Sequence, residues 1–283
     1  MITTKGEIGE LFEAVSDRLD GVIPVYMIGG GALIAKGIKD HTKDVDLVVT
    51  DDDTYNTLTK AILETGFEAK IPGTIYGRLN LSNIFIKDSQ RIDLFSGRVC
   101  GKLMLSDSMI RRAEPLGRFG KIDLYICSLE DILLFKCITD RLGDYDDCVK
   151  ICISGIRWDE FLEEAVSQSR GEKEIWITYV SERLTDIASE GFHIPILDSV
   201  QRMAEEYLER WSESLLRKQA SKASGKKARV IRSSCKGCHE CVELCPSEAI
   251  SFEDGGAVID AGRCTGCGSC VTICRFDAII LRT

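Results

Sequence analysis

Residues 26–49 read YMIGGGALIAKGIKDHTKDVDLVV. An apolar run meets three glycines at Gly29–Gly31, a short helical pattern follows, and a second apolar run carries Asp44-Val-Asp46. Strand, glycine turn, short helix and strand is the reading that fits this order. Two carboxylates two residues apart on a strand point to the same face.

Outward from this stretch, residues 1–155 alternate short β-rich runs with helical patterns. Candidate strands are Pro24–Ile28, Val45–Thr50, Ile84–Lys87, Arg91–Phe95 and Lys121–Ile126. Helical patterns lie near Ile8–Leu19, Thr54–Thr65, Ser106–Ala113 and Leu129–Thr139. Ser128-Leu-Glu-Asp131 reads as a capping box, and Asp51-Asp52-Asp53 as a helix N-cap. Short connections between mixed elements predict an α/β or α+β domain. Residues 156–216 read as wholly helical. Val200, Met203, Tyr207, Trp211 and Leu215 recur there at steps of three and four, a core-packing stripe. Residues 217–229, RKQASKASGKKAR, are small, polar and basic without apolar periodicity, and read as a linker. A solvated tether and a contact for RNA or phosphate are both open readings of it.

Composition sets bounds on the chemistry. The chain has 283 residues, 44% of them apolar, enough for a buried core. A net charge of −9 argues against a surface built throughout for nucleic acid. The acidic, amphipathic start is not a signal peptide, and the apolar stretch Val22–Ala35 is too short to span a bilayer. A soluble cytoplasmic protein is expected. Thirteen cysteines are unevenly spread, eight of them between Cys235 and Cys274. In a reducing compartment such clustering favours metal over disulfide.

The eight fall into two runs, Cys235-x2-Cys238-x2-Cys241-x3-Cys245-Pro246 and Cys264-x2-Cys267-x2-Cys270-x3-Cys274, starting 29 residues apart. The flanking CPSEAISF and CRFDAIIL repeat as well. Residues 230–283 thus resemble bacterial-type ferredoxins with two [4Fe-4S] clusters. The resemblance implies that three cysteines of one run and the fourth of the other share a cluster. Cys235, Cys238, Cys241 and Cys274 would hold one, and Cys264, Cys267, Cys270 and Cys245 the other. Arg275 stands where that family has a second proline, and its positive charge could raise a cluster potential. Paired zinc knots would normally use separated CxxC pairs.

The order in residues 26–49 resembles the polymerase-beta-like nucleotidyltransferases, marked by a hydrophobic-Gly-Gly turn, a spacer and Asp-x-Asp on a strand. With Ala32, Gly37 and Thr42 between them, it is similar to small members related to type IV toxin–antitoxin enzymes. The resemblance spreads diffusely over residues 20–215. It implies a nucleotidyltransferase fold, a mixed sheet with helices, and an α+β class overall. Gly29 and Gly30 would let backbone N–H groups approach a triphosphate. Asp44 and Asp46 would hold Mg²⁺ ions roughly 3.5–4 Å apart, as hard oxygen ligands suit. Asp93, in Gln90-Arg-Ile-Asp93, would be the third carboxylate, with Ile92 and Leu94 facing the core. Many relatives carry an arginine where this chain has Asp40, so Lys39 is the expected phosphate contact, along with Thr42 and Lys136. Asp144 and Asp147 are further candidates, and His41 lies in the same motif.

The remaining residues of interest carry less. Cys148 and Cys152, one helical turn apart, read as packing. Cys100, Cys127 and Cys137 have no partners at ligand spacing, and His193 and His239 form no cluster.

The expected organisation is a nucleotidyltransferase domain over 1–155, its helical extension over 156–216, the basic linker over 217–229 and the iron–sulfur domain over 230–283. The expected activity moves a nucleoside monophosphate from an NTP to a hydroxyl of RNA, protein or a small molecule. The iron–sulfur module would serve redox sensing or electron exchange with a partner. An electron carrier with a non-catalytic nucleotidyltransferase-like module is the alternative.

Overall fold

The computed structural model describes residues 4–70, 84–99, 103–139, 142–171, 175–220 and 226–282. They divide into two compact units, one within residues 4–202 and one within residues 203–282.

The first unit is built on a seven-stranded mixed sheet. Helix α1 (Lys5–Ser16) opens with a capping box between Thr4 and Glu7. Then come β1 (Ile23–Ile28), α2 (Gly29–Ala35), β2 (Val45–Val49) and α3 (Asp52–Glu64). Next are β3 (Glu68–Lys70), β4 (Ile84–Lys87), β5 (Gln90–Ser96), the short β6 (Arg98–Val99) and β7 (Leu103–Met104), and α4 (Asp107–Arg112). Strands β8 (Glu114–Phe119) and β9 (Ile122–Ile126) form a hairpin. The main sheet runs β3-β4-β5-β2-β1-β9-β8. β1 is antiparallel to β2 but parallel to β9, and β2 is parallel to β5.

Helices α2 and α3 pack on β1, β2 and β5. Alternation along the strands divides the central residues between two faces. Val45, Leu47, Ile92 and Leu94 are buried on one face, and Asp46 and Asp93 lie on the other. All five candidate strands and all four helical patterns of residues 1–155 are present, with ends shifted by up to three residues. Asp51 caps α3 by accepting the Thr54 N–H at 2.8 Å.

Helices α5 (Leu129–Cys137), α6 (Leu142–Ser154), α7 (Trp158–Gly171), α8 (Trp176–Ser189) and α9 (Leu197–Ala220) complete the helical part. The capping box expected at Ser128 is only half formed. Ser128 accepts the Asp131 N–H at 3.2 Å, but the Asp131 carboxylate is taken by Arg112 and by the Ser128 hydroxyl. A guanidinium is a stronger partner for a buried carboxylate than a backbone amide. Val200 of the α9 stripe is fully buried, and Met203, Tyr207 and Trp211 are half-buried; the Leu215 side chain lies outside the described residues. The described ends of the 217–229 stretch have regular structure, unlike the linker expected there. Helix α9 runs on to Ala220, and strand β10 (Lys227–Val230) takes up the other end.

The second unit is small. β10 pairs with β13 (Ile279–Arg282), and β11 (Ile250–Glu253) pairs with β12 (Gly256–Ile259), both antiparallel. Two short helices, α10 (Glu240–Glu243) and α11 (Ser269–Ile273), sit in symmetric positions within the two cysteine runs. The mixed α+β class agrees with expectation, while the division into units falls at residue 203, ahead of the boundary at 230 read from the sequence.

Candidate functional site

The parallel pairing of β2 and β5 sets Asp46 directly beside Asp93, and the antiparallel pairing of β1 and β2 sets Ile28 beside Asp46. Asp44 lies one residue before β2. One carboxylate oxygen from each of Asp44, Asp46 and Asp93 lies within 4.8 Å of the others, close enough to share a metal ion. Asp93 is buried, and Asp44 and Asp46 are half-buried.

Gly29 follows β1 in a left-handed conformation, φ +63°. A Cβ there would lie 2.0 Å from Oδ2 of Asp46. At Gly30 a Cβ would lie 2.3 Å from Oγ1 of Thr42. The sequence suggests access for a phosphate as the reason for these glycines; their immediate geometric use is to let Asp46 and Thr42 close against the turn. Thr42, itself buried, donates to Asp44 at 3.3 Å and so orients it.

Lys39 and Lys136 converge on the same cleft, each already paired. Lys136 is buried and contacts Asp144 at 2.7 Å and Asp147 at 2.8 Å. Lys39 reaches Asp147 at 2.7 Å. Burial alone would lower the Lys136 pKa, but the two carboxylates more than offset this and raise it. Lys136 is therefore a buried ion-pair partner and not a surface lysine. Asp144 and Asp147 are the anions that hold both lysines over the cleft. The cleft, about 360 Å³, is lined by Gly30, Lys39, His41, Thr42, Lys43, Asp44, Asp46, Lys136, Gly143, Asp144 and Asp147. A smaller recess of about 40 Å³ shares Asp46, Lys136 and Asp144, adds Asp93, and has apolar walls that include Phe95, Val99, Ile132 and Phe135. The carboxylates thus stand between a polar cleft and an apolar recess.

Arg91 is not among the site residues expected from the sequence. Its Nε and a terminal nitrogen donate to the two Asp93 oxygens at 2.7 and 2.6 Å, and Nε lies 4.0 Å from Asp44. The hydrogen bonds to Asp93 raise its pKa, helped by the charges of Asp93, Asp44 and Asp46. Period two is the signal that could have found it, because residues 91 and 93 share a strand face.

In the second unit, one cavity is lined by Cys235, Cys238, Cys241 and Cys274, and another by Cys245, Cys264, Cys267 and Cys270. Each gathers three cysteines of one run and the fourth of the other. Backbone amides reach the sulfurs: Ala257 N to Cys235, Ala278 N to Cys274, Ala249 N to Cys245, and Ala228 N to Cys264, at 3.2–3.5 Å. N–H donors suit thiolates bound to a metal cluster, so this donor set fits two cubanes. Arg275 is ion-paired with Glu240, which cancels much of the charge expected to act on a cluster.

Of the other cysteines, Cys127, Cys137 and Cys148 are buried and Cys152 is half-buried. Burial, followed by the neighbouring Cys148, pushes the Cys152 thiol up to about 12. Cys100 lies outside the described residues. His41 lines the cleft, His193 is exposed, and His239 stacks on Phe252 at 3.8 Å between ring centroids.

No helix among the described residues is long and apolar enough to cross a membrane. No curated protein matches the chain. Among solved structures, ANT(2'')-Ia in complex with adenylyl-2''-tobramycin is 13% identical, with a TM-score of 0.42 over 58% of this chain and 97% of that one. The solution structure of the antibiotic-resistance factor ANT(2'')-Ia is also 13% identical, with a TM-score of 0.40 over 59% of this chain and 94% of that one. Residues 216–278 match the family model of the 4Fe-4S dicluster domain, and this region contains both cysteine runs.

Proposed function

We propose that the first unit is a metal-dependent nucleotidyltransferase, moving a nucleoside monophosphate from an NTP to a hydroxyl and releasing pyrophosphate. The observation that carries this reading is the convergence of Asp44, Asp46 and Asp93 beside the Gly29 turn. These three carboxylates would hold Mg²⁺. When bound there, the metal would lower the pKa of the attacking hydroxyl and neutralise the departing pyrophosphate.

The chain's own residues supply position and charge. Thr42 fixes the Asp44 carboxylate, and Gly29 leaves room for that of Asp46. Lys39 and Lys136 stand across the cleft as cations for the triphosphate, held in place by Asp147 and Asp144. Lys39 can turn from Asp147 toward a phosphate oxygen at low cost, since it is the more exposed of the two lysines. The apolar recess beside Asp93 suits a flat or weakly polar group of the nucleotide or acceptor, and it limits water around the reacting atoms. The acceptor is RNA, protein or a small molecule.

The second unit would hold its two [4Fe-4S] clusters for redox sensing or for electron exchange with a partner, in a reducing compartment such as the cytoplasm. Nucleotidyl transfer itself needs no electrons, because positioning and charge neutralisation suffice.

The test is incubation of anaerobically purified protein with each labelled NTP, Mg²⁺ and total RNA or cell extract. Label transfer should occur with wild type and fall at least about a hundredfold in Asp46→Asn and Asp93→Asn. Absence of any labelled product, in oxidised and reduced protein alike, favours an electron carrier with a non-catalytic first unit.

A further inference from the structure

The two clusters would not sit in equivalent surroundings, although their cysteine runs repeat with a 29-residue offset. In the second cavity, Oγ of Ser247 lies 3.6 Å from Sγ of Cys245, and Oγ of Ser269 lies 3.4 Å from Sγ of Cys267. A cysteine ligating iron carries no proton, so in the loaded protein each hydroxyl is the donor. At the corresponding positions of the first cavity, the repeat places Phe276 and Glu240. A phenyl ring offers no hydroxyl, and a carboxylate brings negative charge.

We propose that the cluster held by Cys245, Cys264, Cys267 and Cys270 is reduced at a higher potential than the cluster held by Cys235, Cys238, Cys241 and Cys274. Reduction adds one electron to a cluster that is already negative with its thiolates. Donors to sulfur and nearby cations stabilise that added charge. Ser247 and Ser269 do this at one cluster only. Lys227 adds to it, its Nζ donating to the Cys264 carbonyl. At the other cluster, the Arg275 cation is offset by its ion pair with Glu240, while Lys236 lines that cavity and opposes the ranking. Exposure of Cys238 works in the opposite sense, since water also stabilises negative charge. It brings solvent to one ligand, whereas two ligands of the other cluster have a hydroxyl in contact. The consequence is a direction: an electron from a low-potential donor, entering by the exposed Cys238 edge, comes to rest on the second cluster.

This inference depends on both cavities holding [4Fe-4S] clusters. The test is a dithionite titration of the full-length protein under anaerobic conditions, followed by electron paramagnetic resonance, with iron and sulfide measured on each sample. Wild type should show two resolved reduction steps. In Ser247→Ala/Ser269→Ala the upper step should move down while the lower stays, shifting its reduction equilibrium about tenfold. In Glu240→Gln, which removes the carboxylate opposing Arg275, the lower step should move up and narrow the gap. Should the serine variant fail to load, the glutamate variant decides alone. Fully loaded proteins in which neither step moves, or in which both variants act on the same step, overturn the ranking. A protein without iron overturns the cluster assignment instead.

Discussion

Arg91 grips Asp93 through two hydrogen bonds, 2.7 and 2.6 Å, from a position two residues earlier on the same strand. Three carboxylates meeting on one sheet face repel each other, and this guanidinium supplies the cation that lets them stay together. A bound metal must therefore compete with Arg91 for Asp93. In Arg91→Gln, Mn²⁺ binding followed by electron paramagnetic resonance should tighten by about tenfold, while the metal-free protein melts at a lower temperature. Weaker binding would mean that Arg91 orients Asp93 for the metal and does not compete with it.

Gly29 and Gly37 both have positive φ, +63° and +73°, but only Gly29 backs onto a site carboxylate. Around Gly37, nothing among the described residues lies within 4 Å of an added Cβ. Gly37→Ala should cost about 1 kcal/mol of conformational strain and leave label transfer nearly intact. Gly29→Ala carries the same strain and also displaces Asp46, so transfer should fall at least about a hundredfold. Equal activity in the two variants would remove Asp46 from the proposed chemistry.

How far these relationships were legible in the sequence depends on their range. Asp44 and Asp46 were readable as one face because alternation on a strand is local and has a fixed period, whereas Asp93 follows from the nucleotidyltransferase resemblance, its place beside Asp46 being set by strand pairing. The repeat marks two groups of four thiols, and the crossed division between them follows from the ferredoxin resemblance. The use of Gly29 was not, since the approach of Asp46 is set by strand pairing across a turn. Strand β8 also gave no signal. Its residues are exposed or half-buried, with Pro115 and Gly117 inside an edge strand that carries a register shift. The partners of Lys136 and Lys39 depend on how α6 meets α5 and the α2–β2 connection, which no local pattern encodes.

Lys136 and Lys39 share Asp147 but differ in burial, so their variants should separate stability from binding. Lys136→Met leaves Asp144 and Asp147 buried with less compensation and should cost about 3–5 kcal/mol in denaturant unfolding. Lys39→Gln should cost about 1 kcal/mol or less. Its main effect should be weaker binding of a non-hydrolysable NTP, measured by calorimetry. Undiminished NTP binding by Lys39→Gln would exclude Lys39 as a phosphate contact.

Glu130 gives the first unit an acid-sensitive joint. Its carboxylate accepts the Arg157 backbone N–H at 2.9 Å and the Arg157 guanidinium at 3.2 Å, fixing the start of α7. Burial alone would raise the Glu130 pKa, but the side-chain and backbone hydrogen bonds from Arg157 carry it down from 4.5 to about 2. A depressed folded-state value means the stabilisation is complete above about pH 4.5 and is lost as pH falls toward 2. Because Arg157 is largely exposed, the contribution is roughly 1–2 kcal/mol. The stability difference between wild type and Glu130→Gln should therefore be constant from about pH 7 to 5 and shrink toward pH 3. A difference independent of pH would assign the effect to packing.

The second unit has little besides its cysteines to hold it together. Its buried cluster comprises Cys241, Cys264, Cys270 and Cys274 with four alanines and two isoleucines. Its sheets have two strands each, and its two short helices span four and five residues. So small an apolar core cannot offset the entropy of ordering the chain, and cluster ligation must supply the difference. Chelating iron from the intact protein should therefore unfold residues 226–282 while residues 4–202 keep their structure. Limited proteolysis should cut only after the basic 217–229 stretch, with a matching partial loss of far-ultraviolet circular dichroism. A protease-resistant second unit without iron would show that Ala228, Ala249, Ile250, Ala257, Ala278 and Ile279 suffice as a core, and ligation would then tune the module without folding it.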